Sequence, residues 1–324
     1  MTGGADTLSV GAHGTGTLTV DNGGTVYSGV GYIGLLGRSI GATMVTGTGS
    51  SWTNTPSLYV GSYGNGTLTV ADGGKVTAAS LGIYSTSVVN LQINGSDMLV
   101  LGTDATAGSV SNEGNINLSA DAFLASGTYK PISDLSNRTM TWSGAGTYNA
   151  LGGSWDDTAK TFSVGAATVV AAGIADTLTT GERLTISDGG GNNRVGASFG
   201  AVPVGSTFAA SLMTPGELSL LALDAGEAVL SAWDITTNLT GSTVLLSFDV
   251  GPGASTLEAW HYTGGAWTLL ATDVTYRDGS ASFTVDSLSG YAVTAAVPEP
   301  MGMTLLALAG MGLLRRRERR TALA

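Results

Sequence analysis

Apolar and polar residues alternate with period two through the first hundred residues, in short runs broken by glycine. In "TGTLTVDNGG" (Thr15 to Gly24), Leu18 and Val20 fall on one side and Thr17 and Thr19 on the other, the pattern of a half-buried strand. The runs end in Asn22-Gly23-Gly24 or Asp72-Gly73-Gly74, where glycine supplies the positive φ of a tight corner. The whole arrangement recurs. "LSVGAHGTGTLTVDNGGTV" (Leu8 to Val26) aligns with "LYVGSYGNGTLTVADGGKV" (Leu58 to Val76). Weaker copies lie between and after them, in "IGLLGRSIGATMVTGTG" and "LGIYSTSVVNLQINGSD", so the unit is about 25 residues and four are visible.

Such a unit, with two or three short strands, cannot bury its own apolar side. Stacking the units buries a continuous column, which predicts an all-β protein beginning with a short parallel β-helix, one coil per unit, over residues 1–100. Four coils at about 4.8 Å each make a column about 20 Å long. Separate hairpins in a β-sandwich are the alternative. Residues 101–140 read as the last coil and its cap. From Trp142 the texture changes to bulky aromatics between glycine-rich turns, and Trp142, Tyr148, Trp155 and Phe162 are spaced like core residues of successive short strands. Residues 141–296 are predicted to form an antiparallel β-sandwich of about eight to ten strands. In "LEAWHYTGGAWTLLA", a Gly264-Gly265 turn pairs Tyr262 with Trp267 and Trp260 with Leu269, leaving His261 and Thr268 on the solvated side. Asp278-Gly279 repeats the device. "GELSLLALDAGEAVLS" has room for a short helix.

Composition sharpens this picture. Glycine, at 50 of 324 residues, is about double its usual share, yet no glycine-every-third pattern exists and proline is scarce, which excludes collagen. The net charge is −11, concentrated in residues 101–297, so no basic surface exists for nucleic acid and that class of partner is excluded. Cysteine is absent, which removes disulfides and thiolate chemistry. "MTGGADTLSVGAHGTG" has no basic or apolar leader and enters a coil directly, which predicts that a secretory segment is missing ahead of Met1.

Several catalytic patterns appear and carry little. "GVGYIG" (Gly29 to Gly34) fits the dinucleotide motif, but this glycine density produces such a match by chance, and no strand-turn-helix surrounds it. Ser39 in "GRSIG" and Ser198 in "GASFG" fit the nucleophile-elbow pattern without a following helix, and the chain offers only His13 and His261 as bases. Asp21 and Asp72 read as turn formers. No catalytic, metal or cofactor site is predicted. Tyr27, Tyr32, Tyr59, Tyr63 and Tyr84 read chiefly as stacked ring ladders in the coils, with glycan contact as the alternative.

The repeats, with "GTGSSW" (Gly47 to Trp52), resemble the glycine-rich β-helix repeats of bacterial autotransporters and PEP-CTERM proteins. The last residues, 297–324, resemble the PEP-CTERM sorting tail in three ordered parts. These are Val297-Pro298-Glu299-Pro300, then an apolar run, then a cluster of arginines. The run holds Met301, Leu305, Leu306, Leu308, Met311, Leu313 and Leu314, read as a single membrane helix although it is shorter than the roughly 20 residues that span a bilayer. The cluster is Arg315, Arg316, Arg317, Arg319 and Arg320, read as a cytoplasmic anchor. The resemblance implies export, transient anchoring in the membrane, and processing by an exosortase-type enzyme at the Pro-Glu-Pro motif. It also implies a cell-surface or extracellular-matrix role, with exopolysaccharide as a candidate partner. The leading functional expectation is a non-enzymatic structural or adhesive protein; the alternative binds or degrades polysaccharide through the β-helix.

Overall fold

The computed structural model describes residues 6–191, 193–254, 256–271 and 274–296. Its N-terminal half is a parallel β-solenoid with three sheets of six, six and five strands, each sheet receiving one strand per coil. The first sheet starts at Leu8–Val10, the second at Thr15–Val20 and the third at Thr25–Ser28. Register is fixed by the alternation read from sequence. In the second sheet Val20, Val45, Val70, Leu91 and Leu118 stack through successive coils as one apolar column, and Leu18, Thr43, Leu68, Val89 and Ile116 stand beside it. The four repeats are the first four coils. The stack then continues through Ser109–Asn112, Asn115–Ser119 and Ile132–Asp134, and again through Thr141–Ser143 and Thr147–Leu151.

One corner shows how chain chemistry sets the turn. Asn22, Gly47, Asp72 and Asp97, each 25 residues from the next, all take positive φ of 51°, 85°, 50° and 63°. Only Gly, Asn and Asp adopt that region readily, so the coil length is written by where those residues fall.

The expected start of the sandwich at residue 141 is corrected by this pairing. Trp142 lies opposite Val110 and Tyr148 opposite Ile116, so both extend the solenoid. Gly127–Tyr129, Thr161–Val164 and Ser154–Asp156 then form a small antiparallel sheet. Phe162 is fully buried in the solenoid core, and Tyr148 stacks on Trp155 with centroids 5.1 Å apart. The aromatics belong to the end of the column, which must be covered because an open coil exposes both apolar side chains and strand edges.

The sandwich itself begins at Thr168. It has two six-stranded sheets, more strands than expected, and every pairing is antiparallel except Thr168–Ala171 with Arg183–Ser187. Between the sheets lie Trp233, Tyr291 and the ring pairs Phe199–Phe208 and Phe248–Phe283. The hairpin read from sequence is present: Tyr262 faces Trp267, Trp260 faces Leu269, and Gly264 and Gly265 both have positive φ. His261 is not simply solvated. Its ring stacks on Tyr291 at 4.6 Å, and Nε2 lies 2.6 Å from Ser289 Oγ.

The helix expected near residue 216 is four residues long, Pro215–Leu218, with Thr214 and Glu217 forming a capping box. Among the described residues no helix is long and apolar enough to cross a membrane. On that finding the expected transmembrane helix, the membrane as a partner, and transient membrane anchoring are withdrawn. The residues to which those roles were given, Met301, Leu305, Leu306, Leu308, Met311, Leu313 and Leu314, lie outside the described residues. So do Val297, Pro298, Glu299, Pro300 and Arg315, Arg316, Arg317, Arg319 and Arg320.

Candidate functional site: the junction of solenoid and sandwich

The sandwich packs against the last coils. Arg183 opens a sandwich strand, is only 2% exposed, and reaches into the turn that follows Asn115–Ser119 in the fifth coil. Its Nη1 donates to Asp121 O at 2.9 Å and Leu124 O at 2.7 Å, and its Nη2 donates to Gly165 O. Main-chain contact supports this lock: Gly152 N donates to Phe199 O at 2.8 Å. Gly196 sits so close to Ala122 that a Cβ there would overlap the alanine methyl.

Beside the lock, a pocket of about 270 Å³ gathers Asp121, Arg194, Asp249, Arg277 and Asp278. The charges are mutually paired: Arg194 Nη2 to Asp249 at 2.7 Å, and Arg277 to Asp121 at 3.4 Å and to Asp278 at 3.3 Å. Asp72 approaches the same cluster from the third coil. It does form its corner, as read from sequence, but it is also buried. Thr46 Oγ1 donates to its Oδ2 at 3.1 Å, while Oδ1 has no hydrogen-bond partner. Burial pushes this carboxyl up to about 7, with the Thr46 hydroxyl and the positive charge of Arg277 opposing.

The sign of the resulting pH effect follows directly. The folded chain keeps the Asp72 proton up to about pH 7, whereas the unfolded chain releases it near 3.8. The stabilisation is whole below 3.8 and is lost as pH rises through 7. Asparagine suits the positive-φ corner, as Asn22 shows two coils earlier. Asp72→Asn is therefore expected to match the parent near pH 4 and to exceed its stability at pH 8 by about 2–4 kcal/mol. Urea unfolding at the two pH values checks this; parallel stability curves would mean that Asp72 is already charged in the folded protein.

A larger cleft, about 640 Å³, opens between the outer side of the solenoid's second sheet and the edge of a sandwich sheet. On the solenoid wall a row of amides runs up the stack. Asn149 Nδ2 donates to Asn117 Oδ1 at 2.8 Å, Asn117 Nδ2 to Asn90 Oδ1 at 2.9 Å, and Asn90 Nδ2 to Thr69 Oγ1 at 3.3 Å. These residues are in strict register, one per coil. Sequence reading missed the row. Its only trace is an outward asparagine recurring in "VVNLQ", "NINLS" and "TYNAL", in units too degraded to align by eye.

The tyrosines divide. Tyr32 and Tyr59 stack at 5.3 Å and Tyr84 lies 6.5 Å beyond, a ring ladder on the first sheet. Gly82 lets the Tyr59 ring lie over it, since a Cβ at Gly82 would meet that ring. Tyr27 and Tyr63 stand alone and are exposed, at 75% and 78%. Both nucleophile-elbow serines are buried: Ser39 Oγ donates to Leu36 O at 2.6 Å, and Ser198 lies within a sandwich strand. "GVGYIG" crosses the strand Gly31–Ile33. Among the described residues no group of three or more His, Asp or Glu is placed to hold a metal ion. Comparison with protein-family models, with curated proteins and with solved structures finds no match to this chain.

Proposed function

We propose that the protein is an exported structural and adhesive protein, with the solenoid as a stiff spacer and the sandwich as a contact module fused to it. The observation that carries this is the buried Arg183 lock, which joins two separate cores into one unit. A spacer needs that property, since a loose linker would transmit no geometry. The outer surfaces are ladders of hydroxyl, amide and phenol groups, suited to many weak contacts along a polymer. Export and sorting through Val297 to Pro300 are supported by the sequence resemblance of the tail.

An enzyme acting on polysaccharide is the second reading, favoured by one observation: five charged side chains converge at the junction, with the raised Asp72 carboxyl close by. Against it, each carboxylate of the pocket is engaged by an arginine, leaving no free acid-base pair of the kind that glycoside hydrolysis requires.

Beads coated with the full chain are expected to adhere to matrix-producing bacteria, and the soluble protein is expected to release no new reducing ends from their polysaccharide. Release of reducing ends by the parent, abolished in Arg277→Ala, would replace the structural reading with the enzymatic one.

A further inference from the structure

We infer that the cleft between the solenoid and the sandwich binds an extended, neutral polysaccharide along the amide row of Asn90, Asn117 and Asn149. The inference goes beyond the spacer role, because it assigns a ligand class and a position.

The chain carries −11 overall, yet not one residue lining this cleft is charged. Amides and hydroxyls face one another across it, Gln92 and Ser119 on the solenoid wall and Thr243 and Thr284 on the sandwich wall. An anionic polymer would meet no cation there and would be repelled by the surrounding field. A neutral chain of sugar hydroxyls suffers neither penalty.

The row also has spare hydrogen-bonding capacity. Each amide in the row spends one N–H on the coil before it, and Asn90 and Asn117 each accept one bond from the coil after. A carboxamide has two N–H donors and two carbonyl lone pairs, so each of these two keeps one of each. A sugar hydroxyl, donor and acceptor at once, matches that pair. Because the amides bond to each other, their orientation is fixed before any ligand arrives, which lowers the entropy lost on binding.

Successive amides are one coil apart, about 4.8 Å. This is close to the length of one pyranose unit in an extended β-1,4-linked chain, so consecutive sugars meet consecutive amides. The cleft's volume falls within the range of about 300–1,000 Å³ typical of ligand sites.

The test is affinity electrophoresis of the full chain in gels containing glucomannan, a neutral β-1,4 polymer, or alginate, an anionic one, at low and high salt. Retardation by glucomannan that persists at high salt, and none by alginate, is expected. Asn117→Ala should weaken retardation at least tenfold. Because that change also breaks the ladder, Thr284→Trp is made in parallel. It fills the cleft from the exposed sandwich wall without touching any ladder bond, and it should abolish binding while leaving the melting temperature unchanged. The inference is overturned by an absence of glucomannan retardation in the parent, by undiminished retardation in a folded Thr284→Trp protein, or by a salt-sensitive preference for alginate. Undiminished glucomannan retardation in Thr284→Trp, with bacterial adhesion retained, would remove the cleft assignment and leave the structural role standing.

Discussion

Gly66→Ala is expected to destabilise the solenoid by more than about 3 kcal/mol, whereas Gly14→Ala should change stability by no more than about 0.5 kcal/mol. Both glycines belong to the repeated segment "GxG", and composition alone does not distinguish them. Gly66 stacks on Gly41, which stacks on Gly16, at the start of the second sheet. A Cβ on Gly66 would fall well under 3.0 Å from the main-chain Ile33 O and Gly61 N. Those atoms are backbone of this coil and the one before it, so no side chain can rotate away. Relief requires the coils to separate, which breaks the parallel ladder on either side. Gly14 meets nothing within 4 Å and has no positive φ, so alanine there costs no contact and slightly reduces the freedom of the unfolded chain. Urea midpoints of the two variants decide the matter. Equal midpoints would mean that the coils do not stack as closely as described.

The same comparison shows what a single sequence discloses. The period, the strand alternation and the Asn22, Asp72 corners were all readable, because each is a local consequence of residue type. Whether a glycine is needed for its φ or for its missing Cβ was not readable, because the second depends on a neighbour 25 to 33 residues away. Gly34 needs both, having φ of 73° and facing the Asn65 carbonyl. The hairpins at Gly264-Gly265 and Asp278-Gly279 were legible for the same reason as the corners. The end of the solenoid was not. Trp142 and Tyr148 have the texture of sandwich residues, and only their pairing with Val110 and Ile116 reveals the stack.

The candidate site was less legible still. Asp72 was readable as a corner, but not its burial or the opposing influence of Arg277 and the Tyr276 main chain, some two hundred positions further on. The amide row lies on outward positions, where alternation predicts only that a residue is polar. That Asn90, Asn117 and Asn149 fall in one column depends on coil lengths that drift between the later units. Asp134, which ends the third-sheet strand Ile132–Asp134, illustrates the same dependence. Burial opposes the charge of Asp134. Main-chain N–H groups of Gly108 at 2.7 Å, Ser136 at 2.9 Å and Arg138 at 3.0 Å outweigh it and hold the carboxyl well below its ordinary range. Two buried aspartates of one solenoid thus shift in opposite directions, decided by how many donors the local backbone supplies.

Arg183→Leu is expected to uncouple the two halves of the molecule. The parent should unfold in one calorimetric transition, because the guanidinium ties the solenoid turn at Asp121 and Leu124 to the sandwich strand that carries it. Leucine preserves apolar volume but leaves the buried Leu124 carbonyl without its donor and Asp121 O with only the Leu124 N–H at 3.3 Å, while the carbonyl of the exposed Gly165 can turn to water. An orphaned buried acceptor costs about 1–3 kcal/mol, which is the loss of stability expected here. The apolar cores are distinct clusters, and the ties that remain, chiefly Gly152 N to Phe199 O and Arg277 to Asp121, are few, so the loss should appear as two resolved transitions, one for each core. Arg183→Lys should rescue poorly, since a single ammonium cannot reproduce the planar fork that spans three acceptors. A single transition in Arg183→Leu with a melting temperature near the parent's would show that the domains are held by other contacts. The spacer role would then lose the observation on which it stands.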